Sequence, residues 1–451
     1  MRVHFLGIGG IGVSALAQYY LAKGHEVSGS DLVSSEITEA LKKKGVKIFI
    51  GKENPEDSAK KFDLVIYSPA VNYGGETSIV KSYPEALGEL TKKHFTIAVS
   101  GTSGKSTTTA MVSLILMKAG FDPTVIIGTK LKEFGDSNCR VGKSEYLIIE
   151  ADEHFGSFLN YWPRITVITN IEADHLDYYK NLKNYILFFK KYISHLARNG
   201  ILIVNNDDKN TREILGGRTS LGGSTLKYSL KQPESRKLKK ILKVPGEHNV
   251  YNALAALAVA RSLKISDKIS FKALSEYKGA WRRFEILQSR PFILVSDYGH
   301  NPAKVMAALK AAREKWPKKE IWCVYQPHQY QRTHYLFDEF VETFRKALRP
   351  AQGKPFTDKI IITDIYDVAG REEGEIKKEV SSQKLVEAIS KKNIIYLPNK
   401  KILPFLKKNF SQIQVLIIMG AGDIYKLCGY LLPKRSKCDD LRNPLKFERI
   451  S

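Results

Sequence analysis

A chain of 451 residues is too long for one hydrophobic core and implies two to four domains. Apolar residues make up 43% and charged residues 26%, an ordinary balance for a globular protein, and no apolar run approaches the ~18 residues of a membrane-spanning helix. The net charge of +24 comes in short lysine runs (Lys42–Lys44, Lys237–Lys240, Lys407–Lys408) without a basic–aromatic RNA motif. It reads as a solvated surface, not a nucleic-acid interface. No signal-peptide apolar stretch precedes the first strand-like run, and Cys139, Cys323, Cys428 and Cys438 lack CxxC spacing. A cytoplasmic location, reduced thiols and no zinc site are expected.

In chain order, VHFL reads as a strand, GIGGIG as a turn and VSALAQYYLAKG as a helix. Residues 7–12 fit the dinucleotide pattern G-x-G-x-x-G. Gly7 permits the tight turn, Gly9 lets backbone approach a phosphate, and Gly12 allows close helix–strand packing. The amides around Gly10 and Ile11 open the helix and suit a diphosphate. Asp31, ending strand HEVSGSD, is placed to accept from a ribose hydroxyl. This pattern alone does not separate a nicotinamide-dependent oxidoreductase from a protein that binds another nucleotide diphosphate.

The next strands singled out are DLVIYSPA and HFTIAVSG. The second leads into GTSGKSTTT and helix AMVSLILMKAG, a strand–loop–helix that suits phosphates. It is shorter than a full Walker A loop, because Val99 stands where the first glycine is required. Backbone N–H groups of Gly101, Thr102, Ser103, Gly104 and Lys105 are expected to cradle phosphates, with Thr107 of the same loop also counted among the ATP-binding residues. Lys105 would reach the β/γ-phosphates of ATP and the Ser106 hydroxyl would ligate Mg²⁺. EYLIIEADE then ends in Glu150, Asp152 and Glu153, and ITVITNIEADHLD in Glu172, Asp174, His175 and Asp177. Carboxylates at strand ends are plausible hard ligands for magnesium.

Further strands follow: ILIVNND, ILVSDYG, EIWCVYQP, KIIITDIYD and VLIIMGAGD. Alternating strands and helices predict parallel sheets in doubly wound α/β domains. Three sheet-sized groups emerge: 1–92, 93–284 and 285–451, with a polar tail over 433–451. KSYPEALGELTKK connects the first two groups, and GAWRRFEIL marks the second junction.

The ordered set of motifs resembles the ATP-dependent Mur ligases of peptidoglycan synthesis. GTSGKSTTT resembles the family's short P-loop, NIEADHLDYY its N-I-x-x-D-H-x-D segment, and GEHNVYNALAALAVA its G-x-H-N-x-x-N-A helix. HFLGIGGIGVSALA, EADE, SDYGHNP, YQPHQYQRT and MGAGDI are similar to the members that join L-alanine to UDP-N-acetylmuramate. The resemblance implies a Rossmann-like N-terminal domain for the UDP-sugar and a central P-loop ATPase-like domain. A Rossmann-like C-terminal domain would take the amino acid and part of ATP. It implies Lys105, Glu150 and His175 in catalysis, with Ser106 and Glu150 on one magnesium and His175 at a second. Asn249, Arg283 and Asp297 would contact ATP. Gly7, Gly9, Gly10, Ile11, Gly12, Asp31 and Ser68 would surround the uridine diphosphate, with Asn170 near the muramyl end. Tyr298, His300, Gln329 and Arg332 match the alanine-binding positions. A monomer or homodimer is expected.

This chain departs from the family pattern in places. Gln329 replaces an arginine, Ser103 and Asn301 replace histidines, and His154 and Phe155 replace a serine–aspartate pair. The loss of one cation at Gln329 leaves Arg332 for the amino-acid carboxylate and opens the choice of amino acid. A ligase for another amino acid or for a recycled murein peptide is the alternative within the family. Lys190 lies at a distance comparable to that of a lysine that several sister enzymes carry carbamylated, and the resemblance leaves its modification open.

Overall fold

The computed structural model describes residues 1–71, 73, 78–215, 223–349, 353–367 and 375–432, with the side chains of Pro55, Ala59, Leu176 and Asp177 set aside. The 433–451 tail and Cys438 lie outside the described residues. Three α/β domains are built on three sheets. Strands β1 (Arg2–Leu6), β2 (Glu26–Asp31), β3 (Lys47–Ile50), β4 (Leu64–Tyr67) and β5 (Val80–Ser82) form a parallel sheet in the order 3-2-1-4-5.

The central sheet contains β6 (Phe95–Ser100), β7 (Thr124–Leu131), β8 (Ser137–Arg140), β9 (Tyr146–Glu150), β10 (Ile165–Ile168), β11 (Ile201–Asn205) and β12 (Ser224–Tyr228). Their order is 12-11-10-6-9-7-8, parallel except for the β7–β8 hairpin. The last sheet holds β13 (Glu285–Gln288), β14 (Ile293–Asp297), β15 (Ile321–Tyr325), β16 (Lys359–Ile362), β17 (Ile394–Tyr396) and β18 (Val415–Met419). It runs 13-14-18-15-16-17, with only β13 antiparallel.

Residues through Ala280 form one compact unit, and Trp281 begins a second. Val3, Phe5 and Leu16 of the first sheet layer share one apolar cluster with Leu147, Ile149 and Tyr161 of the central domain. Helix Tyr83–Lys93 contributes Ala86 and Leu87 to that same cluster. Gly88 of this helix approaches the backbone so closely that a Cβ would stand 2.4 Å from the Asn160 carbonyl oxygen. The predicted connector KSYPEALGELTKK is therefore a strand and a packed helix. The central strands are apolar on both faces, as helices covering both sides of a parallel sheet require.

The chemistry-bearing loops leave carboxyl ends of strands. GIGGIG follows β1, GTSGKS follows β6, EADE ends β9 and NIEADH follows β10. In the second unit YGHN follows β14, QPHQ follows β15 and GAGD follows β18. Open α/β sheets bind ligands at this edge.

Candidate active site

The first glycine loop is held by its own backbone. Gly7 has φ of +74°, and its N–H donates to the Ser30 carbonyl at 2.9 Å. Gly9 donates to Asp31 Oδ2 at 2.8 Å. A Cβ on Gly9 would stand 2.8 Å from that same oxygen, which is why glycine is needed there. Helix Ile11–Ala22 starts at Gly10 with no side-chain cap and no acid in its first turn. Its unpaired N–H groups and positive dipole end suit an anion. Ser68 closes over the turn, its Cβ 2.8 Å from where a Gly7 Cβ would be. Gly12 does not serve close strand packing, because its missing Cβ makes room for the ring of Tyr83 at 2.9 Å.

The second loop is organised around charge. Gly101 (φ +127°) and Gly104 (φ +87°) take left-handed conformations that side chains resist. A Cβ on Gly101 would meet Thr169 Oγ1 at 2.1 Å, and one on Gly104 would meet Asn252 Oδ1 at 2.3 Å. Helix Lys105–Lys118 begins immediately after Gly104. Lys105 Nζ donates to the Gly101 carbonyl at 2.8 Å and to Glu153 Oε2 at 2.7 Å, and lies 3.4 Å from Asp152. Burial opposes the charge on Lys105, but Glu153, Asp152 and Glu150 overcome it and raise its pKa. Lys105 is thus a firmly charged ammonium.

Glu153 is fully buried, and that burial drives its pKa upward against the pull of Lys105. Tyr185 donates to its Oε1 at 3.0 Å, and His175 Nε2 lies 3.9 Å from the same oxygen. His175 has φ of +53° and stacks on His154 at 4.1 Å, which in turn stacks on Phe155 at 4.0 Å. The departure at His154 and Phe155 therefore builds an aromatic stack against His175.

Ser106 Oγ lies 2.9 Å from both oxygens of Glu150, and Gly128 N–H donates to Glu150 Oε2 at 2.8 Å. This hydroxyl–carboxylate pair is an all-oxygen donor set beside the loop, which suits Mg²⁺. Among the described residues no group of three or more His, Cys, Asp or Glu side chains is placed to hold an ion.

Asn170, expected at the muramyl end, hydrogen-bonds the backbone of the P-loop. Its Nδ2 donates to the Ser103 carbonyl at 2.9 Å, and its Oδ1 accepts from Ser103 N–H at 3.0 Å. Thr102 exchanges hydrogen bonds with the Glu172 backbone at 2.9 and 3.0 Å. Thr107 lies buried in the first turn of the helix. Asn249 is buried and donates to the Pro245 carbonyl at 2.6 Å while accepting from Asn252 at 3.3 Å. Asn252, in turn, accepts from Thr108 at 3.2 Å. Asn252, the second asparagine of the GEHNVYNA motif, shapes this site together with Thr169, Gly128 and Tyr185, which carry no motif of their own. Lys190 lies 3.9 Å from Glu213 on a partly exposed helix face.

In the second unit Asp297 accepts from Phe284 N–H at 2.8 Å and Gly299 N–H at 2.7 Å. Burial raises its pKa against those bonds. Arg282, not singled out from sequence, is buried and donates to the carbonyls of Gly420 and Gly422. It also faces the rings of Trp281, Tyr298 and Tyr425, and Arg283 lies 4.9 Å from the Tyr298 ring centre. His300 Nδ1 lies 3.2 Å from the Tyr298 carbonyl, and burial holds its pKa well below the ordinary value. Arg332 donates to His328 Nδ1 at 3.1 Å and to its carbonyl at 3.2 Å. His328 therefore accepts at Nδ1. Gln329 has φ of +73° and caps helix Tyr330–Tyr335 with its backbone. Tyr298, His300, His328 and Arg332 thus gather where β14 and β15 end.

Three α/β domains and a short P-loop bearing a lysine define the class of protein built to take nucleotide phosphates. Residues 2–95 match the Mur ligase family catalytic domain, 99–260 the Mur ligase middle domain, and 282–422 the Mur ligase glutamate ligase domain. A UDP-N-acetylmuramate–L-alanine ligase of Acetivibrio thermocellus is 40% identical over 94% of each chain. The crystal structure of a UDP-N-acetylmuramate–alanine ligase from Thermotoga maritima is 27% identical, with a TM-score of 0.73 over 94% of this chain and 96% of that one. A murein peptide ligase from Psychrobacter arcticus shares the fold at 22% identity and a TM-score of 0.69, covering 96% of this chain and 98% of that one. The chain belongs to the Mur ligase family.

Proposed function

We infer that this protein is an ATP-dependent ligase that joins L-alanine to the carboxylate of UDP-N-acetylmuramate in peptidoglycan precursor synthesis. The observation that carries the reading is Lys105, held charged at the mouth of a phosphate loop beside the Ser106–Glu150 pair. Full-length similarity to L-alanine ligases supplies the substrate class. The nicotinamide oxidoreductase reading is set aside, because it leaves the second loop and its carboxylates without a task.

The first step brings a carboxylate to a triphosphate, an encounter of anions that needs cations. A carboxylate oxygen attacks the γ-phosphorus, and ADP leaves with the bridging oxygen. Lys105 stabilises charge on the transferring group, and the N–H groups of Gly101–Lys105 orient the phosphates. Ser106 and Glu150 would hold Mg²⁺, which when bound would supply a hard positive charge to offset the phosphates. His175 stands beside Glu153 on the same side of the loop. The alanine amine then attacks the acyl phosphate carbon, phosphate departs, and an amide forms.

Arg332 offers its guanidinium to the alanine carboxylate. Gly7, Gly9, Gly10, Ile11 and Gly12 place amides around the UDP diphosphate. The recycled-peptide alternative draws on fold likeness alone. Nucleotide substrates and buried free cysteines suit a cytoplasmic enzyme. Among the described residues no helix is long and apolar enough to cross a membrane.

The test is phosphate release from ATP with UDP-N-acetylmuramate, screened over alanine, serine and glycine. Release that requires both the sugar nucleotide and alanine is the expected result. No release with any amino acid, from folded protein, overturns the reading.

A further inference from the structure

Tyr83 is the first residue of helix Tyr83–Lys93, and its position is fixed from both sides. Ser82 and Glu85 form a reciprocal capping box, with Glu85 Oε2 accepting from both Ser82 N–H and Oγ at 2.7 Å. Pro84 adds a preset backbone angle in the first turn. The ring therefore leaves a rigid start point. It lies against the uncapped N-terminus of helix Ile11–Ala22, with its hydroxyl 2.9 Å from where a Gly12 Cβ would be. Burial, then Glu150 and Asp152, raise the pKa of the phenol, so it stays protonated and able to donate. Those two carboxylates belong to the end of β9 beside the P-loop. The hydroxyl makes no hydrogen bond to any described residue.

One phenol thus stands at the opening of the first helix, on the side of the carboxylates that end β9. A sugar nucleotide whose diphosphate sits on the first helix must send its carboxylate towards the second. We propose that Tyr83 is a substrate-binding residue whose hydroxyl donates to UDP-N-acetylmuramate where the diphosphate gives way to the muramyl group. The assignment rests on the ligase reading above. It also explains Gly12, since any side chain there would displace the ring from the helix mouth.

The experiment compares the wild-type protein with Tyr83→Phe, which keeps the ring and removes only the donor. Losing a hydrogen bond to a charged group should raise KM for UDP-N-acetylmuramate roughly tenfold. KM for ATP and for alanine should stay within about twofold, and the thermal midpoint should hold. Calorimetric affinity for UDP-N-acetylmuramate should fall similarly, while affinity for UMP, which lacks the second phosphate and the sugar, should not change. Equal sugar-nucleotide binding by both proteins overturns the assignment, as does a parallel rise in all three KM values. Wild-type protein that binds the sugar nucleotide but releases no phosphate would instead overturn the ligase reading. The binding comparison would still decide Tyr83.

Discussion

The two glycine loops of this chain have similar outlines and opposite electrostatics. The first, Gly7–Gly12, presents only backbone N–H groups, and its nearest carboxylate, Asp31, is occupied by Gly9 N–H. The second, Gly101–Lys105, carries an ammonium pinned between the Gly101 carbonyl and a buried glutamate. A substrate that is only held needs amides in fixed places, as the first loop provides. A phosphoryl group that moves needs charge which stays in place while the bonds change. On the proposed ligase reading, the same strand–turn–helix would serve holding in one domain and transfer in the next.

The largest expected effect is on the second loop. Lys105→Ala should lower kcat by about 10²–10³-fold, in line with removing one preorganised charge donor. Retained phosphate release would break the comparison outright. The substitution also strands Glu153, which is fully buried, and removing one partner of a buried pair costs about 3–5 kcal/mol. Adding Glu153→Gln should recover much of that stability in a denaturation curve and none of the turnover.

The pH dependence carries a sign. Burial already raises the Glu153 pKa, and without Lys105 it rises further. A carboxyl with a raised folded pKa binds its proton more tightly when folded, so stability falls as pH climbs from the unfolded value to the folded one. Lys105→Ala should therefore lose stability more steeply than wild type between about pH 5 and 8. Lys105→Ala/Glu153→Gln should be nearly flat over that range. Parallel slopes for all three proteins would mean that Glu153 is not the titrating group.

In the first loop the effect is smaller and falls on binding. Gly9→Ala forces a Cβ to within 2.8 Å of Asp31 Oδ2, so the turn or the carboxylate must shift. KM for the sugar nucleotide should rise about tenfold, which is 1.4 kcal/mol, with kcat nearly unchanged. A fall in kcat matching the rise in KM would make the first loop part of the transfer machinery and erase the contrast.

What the sequence discloses divides along physical lines. Apart from β7, the interior strands of all three sheets are legible in the sequence, most of them as β-branched runs. β3, β5, β8, β12, β13 and β17 are not, and each is a sheet edge. Edge strands have a half-exposed face and need less apolar sequence; β12 reads STLKY and is mostly exposed. β7, next to an edge, was also not singled out, although TVIIGTKL is apolar enough to be. Within the site, a loop that contacts phosphate shows itself through glycine and lysine at fixed spacing. Its supports do not. Asn252 falls within the GEHNVYNA motif, but nothing in that motif tells that it reaches Thr108 across 144 residues, and Gly128 carries no signal of the Glu150 carboxylate that a Cβ there would meet at 2.6 Å. Asn170 was legible as a site residue but not as a staple on Ser103, because that depends on how β10 lies beside β6.

The finest test concerns Asp31, which the sequence alone assigns to a ribose hydroxyl. In the structure its Oδ2 is taken by Gly9 N–H at 2.8 Å, and among the described residues its Oδ1 receives only a long bond of 3.4 Å from Val33 N–H. Asp31 is then first a clamp on the loop and only secondarily an acceptor for ligand. Asn keeps one oxygen for Gly9 and replaces the other with a donor, so Asp31→Asn separates the two roles. If the clamp dominates, KM for UDP-N-acetylmuramate should rise less than about fivefold, near 1 kcal/mol for a weakened hydrogen bond. The 2′-deoxyuridine analogue should then bind wild type and variant in the same ratio as the natural substrate does. A variant that discriminates strongly against the ribose form but not the deoxy form would return Asp31 to the ribose. The first loop would then hold its ligand with a charged side chain as well as with its backbone, and the contrast between the loops would narrow to the mobile phosphate alone.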